Sequence, residues 1–370
     1  MLDPRVEKFA RLLVDYSTNV KPGDRVAITS TTVATPVVQA LYARVLERGG
    51  RPHILLDIPN QERVLFDHAP DELLDFVPEF HRTAFEQFDV LIKVRAEMNP
   101  RSLNKVDTAR LARRQRATAC LIRAQMRRGA DQSLRWTSTL YPTRGYAAEA
   151  GMKLHEYQDF VYGACHTDDG TSDPVAYWEA FGRQQKHIVD WIAGHDRVEL
   201  RGPNVDLTLS IKGRKFLNSC GIHNMPDGEI YTGPVESSAN GWARFTYPAV
   251  YQGRVVEGIE LKFEKGKVVQ ANARKNQAYL EEMLGTDGGA RYLGEFAIGT
   301  NFQINRFTHS ILFDEKIGGT FHLALGAGYP ETGSQNQSAI HWDMICDMRH
   351  GGTVIVDGEL LYKDGKFVVL

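Results

Sequence analysis

Near residue 195 the chain changes texture, and no other feature limits its possible folds as much. Before that point, apolar strand candidates alternate with segments of helical periodicity; after it, short alternating strands follow one another with only turn residues between them. The first pattern builds parallel sheets through βαβ units, and the second builds antiparallel sheets through hairpins. A chain of 370 residues also exceeds what one core usually holds. We therefore expect two domains, over residues 1–195 and 196–370. The first would be an α/β domain with an open, mainly parallel sheet, the second a β-rich α+β domain.

The N-terminal half carries the βαβ signal in detail. Asp3-Pro4 supplies a cap and a first-turn proline, and Val6, Phe9, Leu12, Leu13 and Tyr16 recur at helical spacing over residues 3–18. A strand at Arg25-Val26-Ala27-Ile28-Thr29, a helix from Thr35 to Arg48 stopped by Gly49-Gly50, and a strand at His53-Ile54-Leu55-Leu56 form one unit. Asp89–Val94 adds a strand, the segment at Ala117–Leu121 begins a further element, and helices over 146–164 and 174–193 lead to the boundary. No G-x-G-x-x-G or Walker-type glycine loop is present, so the topology carries no dinucleotide fingerprint. Arg110, Arg113, Arg114, Arg116, Arg123, Arg127 and Arg128 lack interleaved aromatics and read as a solvated helix face rather than a phosphate-binding one.

A formal net charge of -2 gives no reason to expect nucleic acid as a partner. No run approaches the roughly 18 apolar residues needed to span a bilayer, and the N-terminus has no signal-peptide core. Cys120, Cys165, Cys220 and Cys346 are scattered without C-x-x-C spacing and read as thiols in a reducing compartment, which places the protein in the cytoplasm.

Six residues of the second half carry the chemistry: Glu229, Glu295, His322, Tyr329, His341 and Asp343. On an extended strand His341 and Asp343 point to one face while Ile340, Trp342 and Met344 fill the other, so imidazole and carboxylate converge. Glu295 lies inside the apolar run Leu293–Gly299, where a carboxylate needs a partner or a metal. Taken singly, His322 among Phe321 and Leu323 reads as a core histidine, and Glu229 after Asp227-Gly228 as a surface residue. Taken together, these oxygen and imidazole donors describe a cavity for divalent ions. Alternation along the strand puts Cys346 on the opposite face from His341, and His223, His309, His350 and Asp347 have no spacing argument of their own. Two alternatives draw on the same residues. His322, His341 and Asp343 alone would suffice for a mononuclear iron(II) site of a ring-cleaving dioxygenase, and a non-catalytic, metal-stabilised binding homodimer is the other.

Several motifs carry a family resemblance. Pro226-Asp227-Gly228-Glu229-Ile230-Tyr231-Thr232-Gly233-Pro234, Leu293-Gly294-Glu295, His322-Leu323-Ala324-Leu325-Gly326 with Tyr329-Pro330, and Ile340-His341-Trp342-Asp343-Met344 resemble the metal-binding motifs of the aminopeptidase T and AmpS family. Ala148–Met152 and Val356–Glu359 extend the likeness over most of the chain. The closing motif departs from the commoner His-x-Asp-Phe-Met-Ile-Gly, reading His341-Trp342-Asp343-Met344-Ile345-Cys346-Asp347, but keeps its ligands. The resemblance implies a homodimeric metallo-aminopeptidase acting on short peptides, with two zinc, cobalt or manganese ions per chain sharing an activated water. It implies Glu229, Glu295, His322, His341 and Asp343 as ligands. Tyr329 would be the active-site tyrosine, ligating a metal or stabilising the oxyanion, and Glu295 would also handle protons.

Overall fold

The computed structural model describes residues 3–369, and the chain forms two compact units. The first runs as far as Trp178 and also takes in Gly221–Pro226. Its opening helix, Pro4–Arg11, starts where the Asp3 carboxylate accepts the Arg5 amide at 3.0 Å, and it widens into a π-helical turn over Leu12–Ser17. Strands β1 (Arg25–Thr31), β2 (Arg51–Asp57), β3 (Val90–Arg95) and β4 (Arg135–Leu140) pair in parallel in the order β2-β1-β3-β4, and Asn224–Met225 pairs in parallel beside β4. The helix Thr35–Glu47 makes the crossover between β1 and β2. This is the open parallel sheet that the alternation of strands and helices predicts.

Ala117–Leu121 turns out to lie in the middle of one long helix, Thr108–Ala130, capped by Asp107. The arginines of that helix are only partly a solvated face: Arg116, Arg123 and Arg127 are exposed, but Arg110, Arg113, Arg114 and Arg128 bond to the protein. Arg114 is 8% exposed and donates to the carbonyls of Leu74 and Phe76; Arg110 donates to the carbonyls of Phe66 and Ala69, and Arg113 pairs with Asp75. The physical reason is the neighbouring 3₁₀ turn Asp71–Asp75, whose flanking carbonyls have no partner within the turn and are met by guanidinium donors. The helical stretch expected over 146–164 is two helices, Arg144–Glu149 and Leu154–Ala164, because Gly151 takes φ +65° and the chain turns there.

The second unit comprises Glu179–Cys220 and the chain from Asp227 onward. One antiparallel sheet of eight strands runs in the order Lys267–Asn272, Glu260–Glu264, Asn240–Arg244, Val205–Ser210, Arg197–Gly202, Thr353–Val356, Glu359–Lys363 and Lys366–Phe367. Tight turns at Lys265-Gly266, Asp357-Gly358 and Asp364-Gly365 join successive strands, as their residue types predict. A second antiparallel sheet has five strands: β5 (Leu217–Ser219), β6 (Glu229–Thr232), β7 (Leu293–Gly299), β8 (Thr320–Gly326) and β9 (His341–Asp347), in the order β9-β8-β7-β6-β5.

The two sheets share one apolar core. Leu200, Leu207 and Leu209 of the larger sheet belong to the same buried cluster as Phe296, Ile298, Phe321, Leu323, Trp342 and Met344 of the smaller. Period-two alternation then dictates that β6 to β9 send their other side chains to the opposite face. That face carries the polar residues.

Trp342 is 1% exposed, and its indole nitrogen has no hydrogen-bond partner among the described residues, so it contributes through packing. Trp342→Ala is expected to cost about 3–5 kcal/mol in denaturant unfolding, and Trp342→Phe distinctly less. Equal losses for the two would contradict a packing role.

Candidate metal centre

The register of the five-stranded sheet builds the site. Across β7, β8 and β9, Glu295 pairs with Ala324 and Ala324 with Asp343, so the two carboxylates flank an alanine in one row. In the next row, Tyr231, Ala297, His322 and Ile345 lie side by side, and Glu229 pairs with Gly299. Alanine and glycine between the polar residues leave room above the sheet for their side chains to converge.

A bulge is part of this design. Counted by strict alternation from Leu293, which is 1% exposed in the core, Glu295 would share the core face; the extra residue Gly294 shifts the phase by one. Gly294 also lies so close to the chain at Ala327 that an added Cβ would stand 2.1 Å from the Ala327 carbonyl oxygen. That oxygen is used: it lies 2.7 Å from His341 Nδ1. A carbonyl only accepts, so Nδ1 donates the proton and Nε2 is left to face the carboxylates.

Two groups of donors result, each with its atoms within 4.8 Å of one another: Glu229, Glu295 and His322, and Glu295, His341 and Asp343. Glu295 belongs to both. His322 Nε2 stands 3.4 Å from Glu229 and 3.6 Å from Glu295; His341 Nε2 stands 3.2 Å from Glu295 and 3.4 Å from Asp343. These separations are long for hydrogen bonds, but donors about 2.0–2.2 Å from a shared zinc ion stand about 3–3.5 Å from one another. Glu229 Oε2, His322 Nδ1 and Asp343 Oδ1 are buried without a hydrogen-bond partner among the described residues. Buried orphan oxygens aimed at imidazole nitrogens fit a hard or borderline divalent cation.

The electrostatics agree. Burial pushes Glu229 up to about 8 despite the Lys316 ammonium beside it. Burial also acts most strongly on Glu295, yet the His322 and His341 imidazoles facing it bring that carboxyl below its ordinary range. Burial opposes charge on the imidazoles, but Glu295 and Glu229 raise His322 to about 9, and Asp343 with Glu295 raises His341 to about 12. The carboxylates thus demand positive charge, which protons supply when no ion does.

All six residues singled out in the sequence lie on this side of the sheet or at its rim. Tyr329 is the most open, 41% exposed, with its ring edge-on to His341 and to Tyr231 at 5.3 Å each. Enclosure of its hydroxyl and the charges of Glu295 and Asp343 hold it well above the usual phenol range. Glu229, which reads as a surface residue by itself, is 6% exposed, and Cys346 lies in the core with Trp342 and Met344. Two residues at the site escape the sequence reading: Glu315 and the fully buried Lys316, whose ammonium bonds Glu315 and lies 3.6 Å from Glu229. Their one signal is three charged residues, Asp314-Glu315-Lys316, set between apolar Phe313 and Ile317.

Comparisons with known proteins point the same way. A family model described as thermophilic metalloprotease (M29) matches residues 2–367. Aminopeptidase 2 of Geobacillus stearothermophilus is 27% identical over 98% of this chain and 95% of its own. Aminopeptidase T of Thermus thermophilus is 26% identical over 97% of this chain and 95% of its own. The solved wild-type AmpT from Thermus thermophilus superposes with a TM-score of 0.86 at 24% identity, covering 98% of this chain and 99% of that one. A 2,5-dihydroxypyridine dioxygenase from Pseudomonas putida KT2440 superposes with a TM-score of 0.55 at 12% identity, covering 98% of this chain and 96% of that one. Both structural likenesses concern the fold.

In chelated protein, His322 and Glu229 titrate above their ordinary values of 6.5 and 4.5, so the stability they contribute is lost as pH rises. Thermal unfolding of the chelated chain is expected to fall between about pH 6.5 and about pH 9. Adding a divalent ion should flatten or reverse that slope, because the ion takes the place of the protons. A chelated protein that gains stability across this window would contradict the assignment.

Proposed function

Because the chain belongs to the thermophilic metalloprotease (M29) family, we propose that it is a metal-dependent aminopeptidase that removes the N-terminal residue from short peptides. The observation that carries this reading is Glu295, common to two donor groups that between them use three carboxylates and two imidazoles. Glu229, Glu295 and His322 would hold one divalent ion and Glu295, His341 and Asp343 a second, Glu295 being common to both groups. A single iron(II) would need only His322, His341 and Asp343; the burial of Glu229 and Glu295 against the imidazoles favours the two-ion reading over the dioxygenase. Zinc, cobalt and manganese all suit this donor set.

When bound, such an ion pair lowers the pKa of water and polarises a carbonyl. The chain's own residues do the rest. Glu295 lies against both imidazoles, and a carboxylate oxygen left uncoordinated would take a proton from the attacking water and pass it to the leaving amine. Tyr329, kept protonated by its surroundings, donates its O–H to the oxyanion that forms on the attacked carbonyl. The Tyr231 ring packs edge-on against that of Tyr329. No helix among the described residues is long and apolar enough to cross a membrane. The four cysteines are free thiols, which supports a cytoplasmic setting, and a homodimer completes the proposal.

Purified protein is expected to carry about two divalent ions per chain and to release free amino acid from dipeptides, activity that chelation removes and added metal restores. Glu295→Gln should lower kcat/KM by about 10²–10⁴-fold, and Tyr329→Phe should lower kcat by about 10²–10³-fold with little change in KM. One iron per chain and oxygen-dependent ring cleavage would instead establish the alternative.

A further inference from the structure

Lys316 is 0% exposed, a rare environment for an ammonium group, and its surroundings are fixed. Its amide donates to the Phe313 carbonyl at 3.0 Å, and its own carbonyl accepts the Asn301 amide at 3.1 Å. The Gly318 amide donates back to the Asn301 carbonyl at 3.0 Å, and the Gly319 amide to Gly299 at 3.2 Å. The loop is thus tied at several points to the end of β7. Its ammonium bonds Glu315 and stands 3.6 Å from Glu229 Oε1. A fully buried cation on so constrained a loop has no solvent into which to swing, so it remains beside Glu229 whatever else binds there.

The two donor groups are therefore unequal. The Lys316 ammonium, shared with Glu315, stands 3.6 Å from Glu229 and farther from Asp343, so of the two groups the one containing Glu229 feels its positive charge more, in an interior where charges are weakly screened. Two further observations point the same way. The side chains of His341 and Asp343 are 28% and 11% exposed, against 1% and 8% for His322 and Glu229, so desolvation is harsher at the inner group. His341 Nδ1 is oriented by the Ala327 carbonyl, whereas His322 Nδ1 has no partner among the described residues, and a ligating imidazole is a better donor when its other nitrogen is held.

We propose that Lys316 is a built-in counterion that ranks the two ion positions. It weakens divalent-ion binding at Glu229, Glu295 and His322, so that the first equivalent of metal occupies Glu295, His341 and Asp343. The inference rests on the two-ion reading above, and it makes Lys316 a residue that sets occupancy rather than one that touches substrate.

The test is stepwise loading of chelated full-length protein. Wild-type protein titrated with zinc against a chromophoric chelator should show two separated binding steps. Anomalous diffraction from crystals holding one equivalent of zinc should show the peak at Glu295, His341 and Asp343. Lys316→Met should tighten the second step by about tenfold or more and draw the two steps together, while Lys316→Arg should keep them apart. A first peak at Glu229 and His322, or unchanged steps in a folded Lys316→Met protein, would overturn the inference. The diffraction arm uses wild-type protein, so a first peak at Glu229 and His322 overturns the inference even where the methionine variant does not fold. Saturation at one ion per chain would instead overturn the two-ion reading itself, an outcome distinct from two ions that bind in the other order.

Discussion

Negative charge held out of water is the constraint around which the second unit is organised. Glu295 lies within a few ångströms of both Glu229 and Asp343 on a sheet whose reverse face is apolar core, and Glu315 lies beside them. Carboxylates buried this way are tolerated only where cations stand among them. Lys316 and the two raised imidazoles supply that charge in part, and a divalent ion supplies it with better geometry. A chain that keeps this arrangement without using it would carry a standing cost to its stability, which is why the cluster argues for function and not for structure.

The sheet makes the arrangement dependable. Adjacent strands fix Glu295, Ala324 and Asp343 in one row and Tyr231, Ala297, His322 and Ile345 in the next, so the relative heights of the donors are set by backbone hydrogen bonds. Core packing beneath the same strands, through Phe296, Leu323, Trp342 and Met344, resists any slip in register, since a slip of one residue would exchange core and site faces. Folding energy and preorganisation of the site thus come from the two sides of one sheet.

What the sequence reveals follows from how local each signal is. His341 and Asp343 are legible because i and i+2 on a strand share a face, and Glu295 because a carboxylate inside Leu293–Gly299 has few innocent explanations. The phase of β7 is not legible, since a bulge moves Glu295 off the core face without leaving a pattern in the residue types. Glu315 and Lys316 are hidden for another reason: adjacent charged residues at the end of a short helix look solvated, and only tertiary structure encloses them. Arg110 and Arg114 of Thr108–Ala130 mislead in the same way, because the carbonyls they satisfy lie in a helix end and a turn far away in sequence. Nor does composition distinguish Gly221–Pro226, where the chain returns briefly to the first unit.

The close approach of Gly294 to Ala327 bears on how relatives of this chain are to be judged. Two proteins can share every carboxylate and imidazole of the cluster and still differ in competence, because a methyl group at position 294 would push against the carbonyl that orients His341. Counting preserved ligands is then an incomplete criterion for telling a working enzyme from a silent descendant. The informative site in such a comparison is an apolar one, a position with no side chain at all.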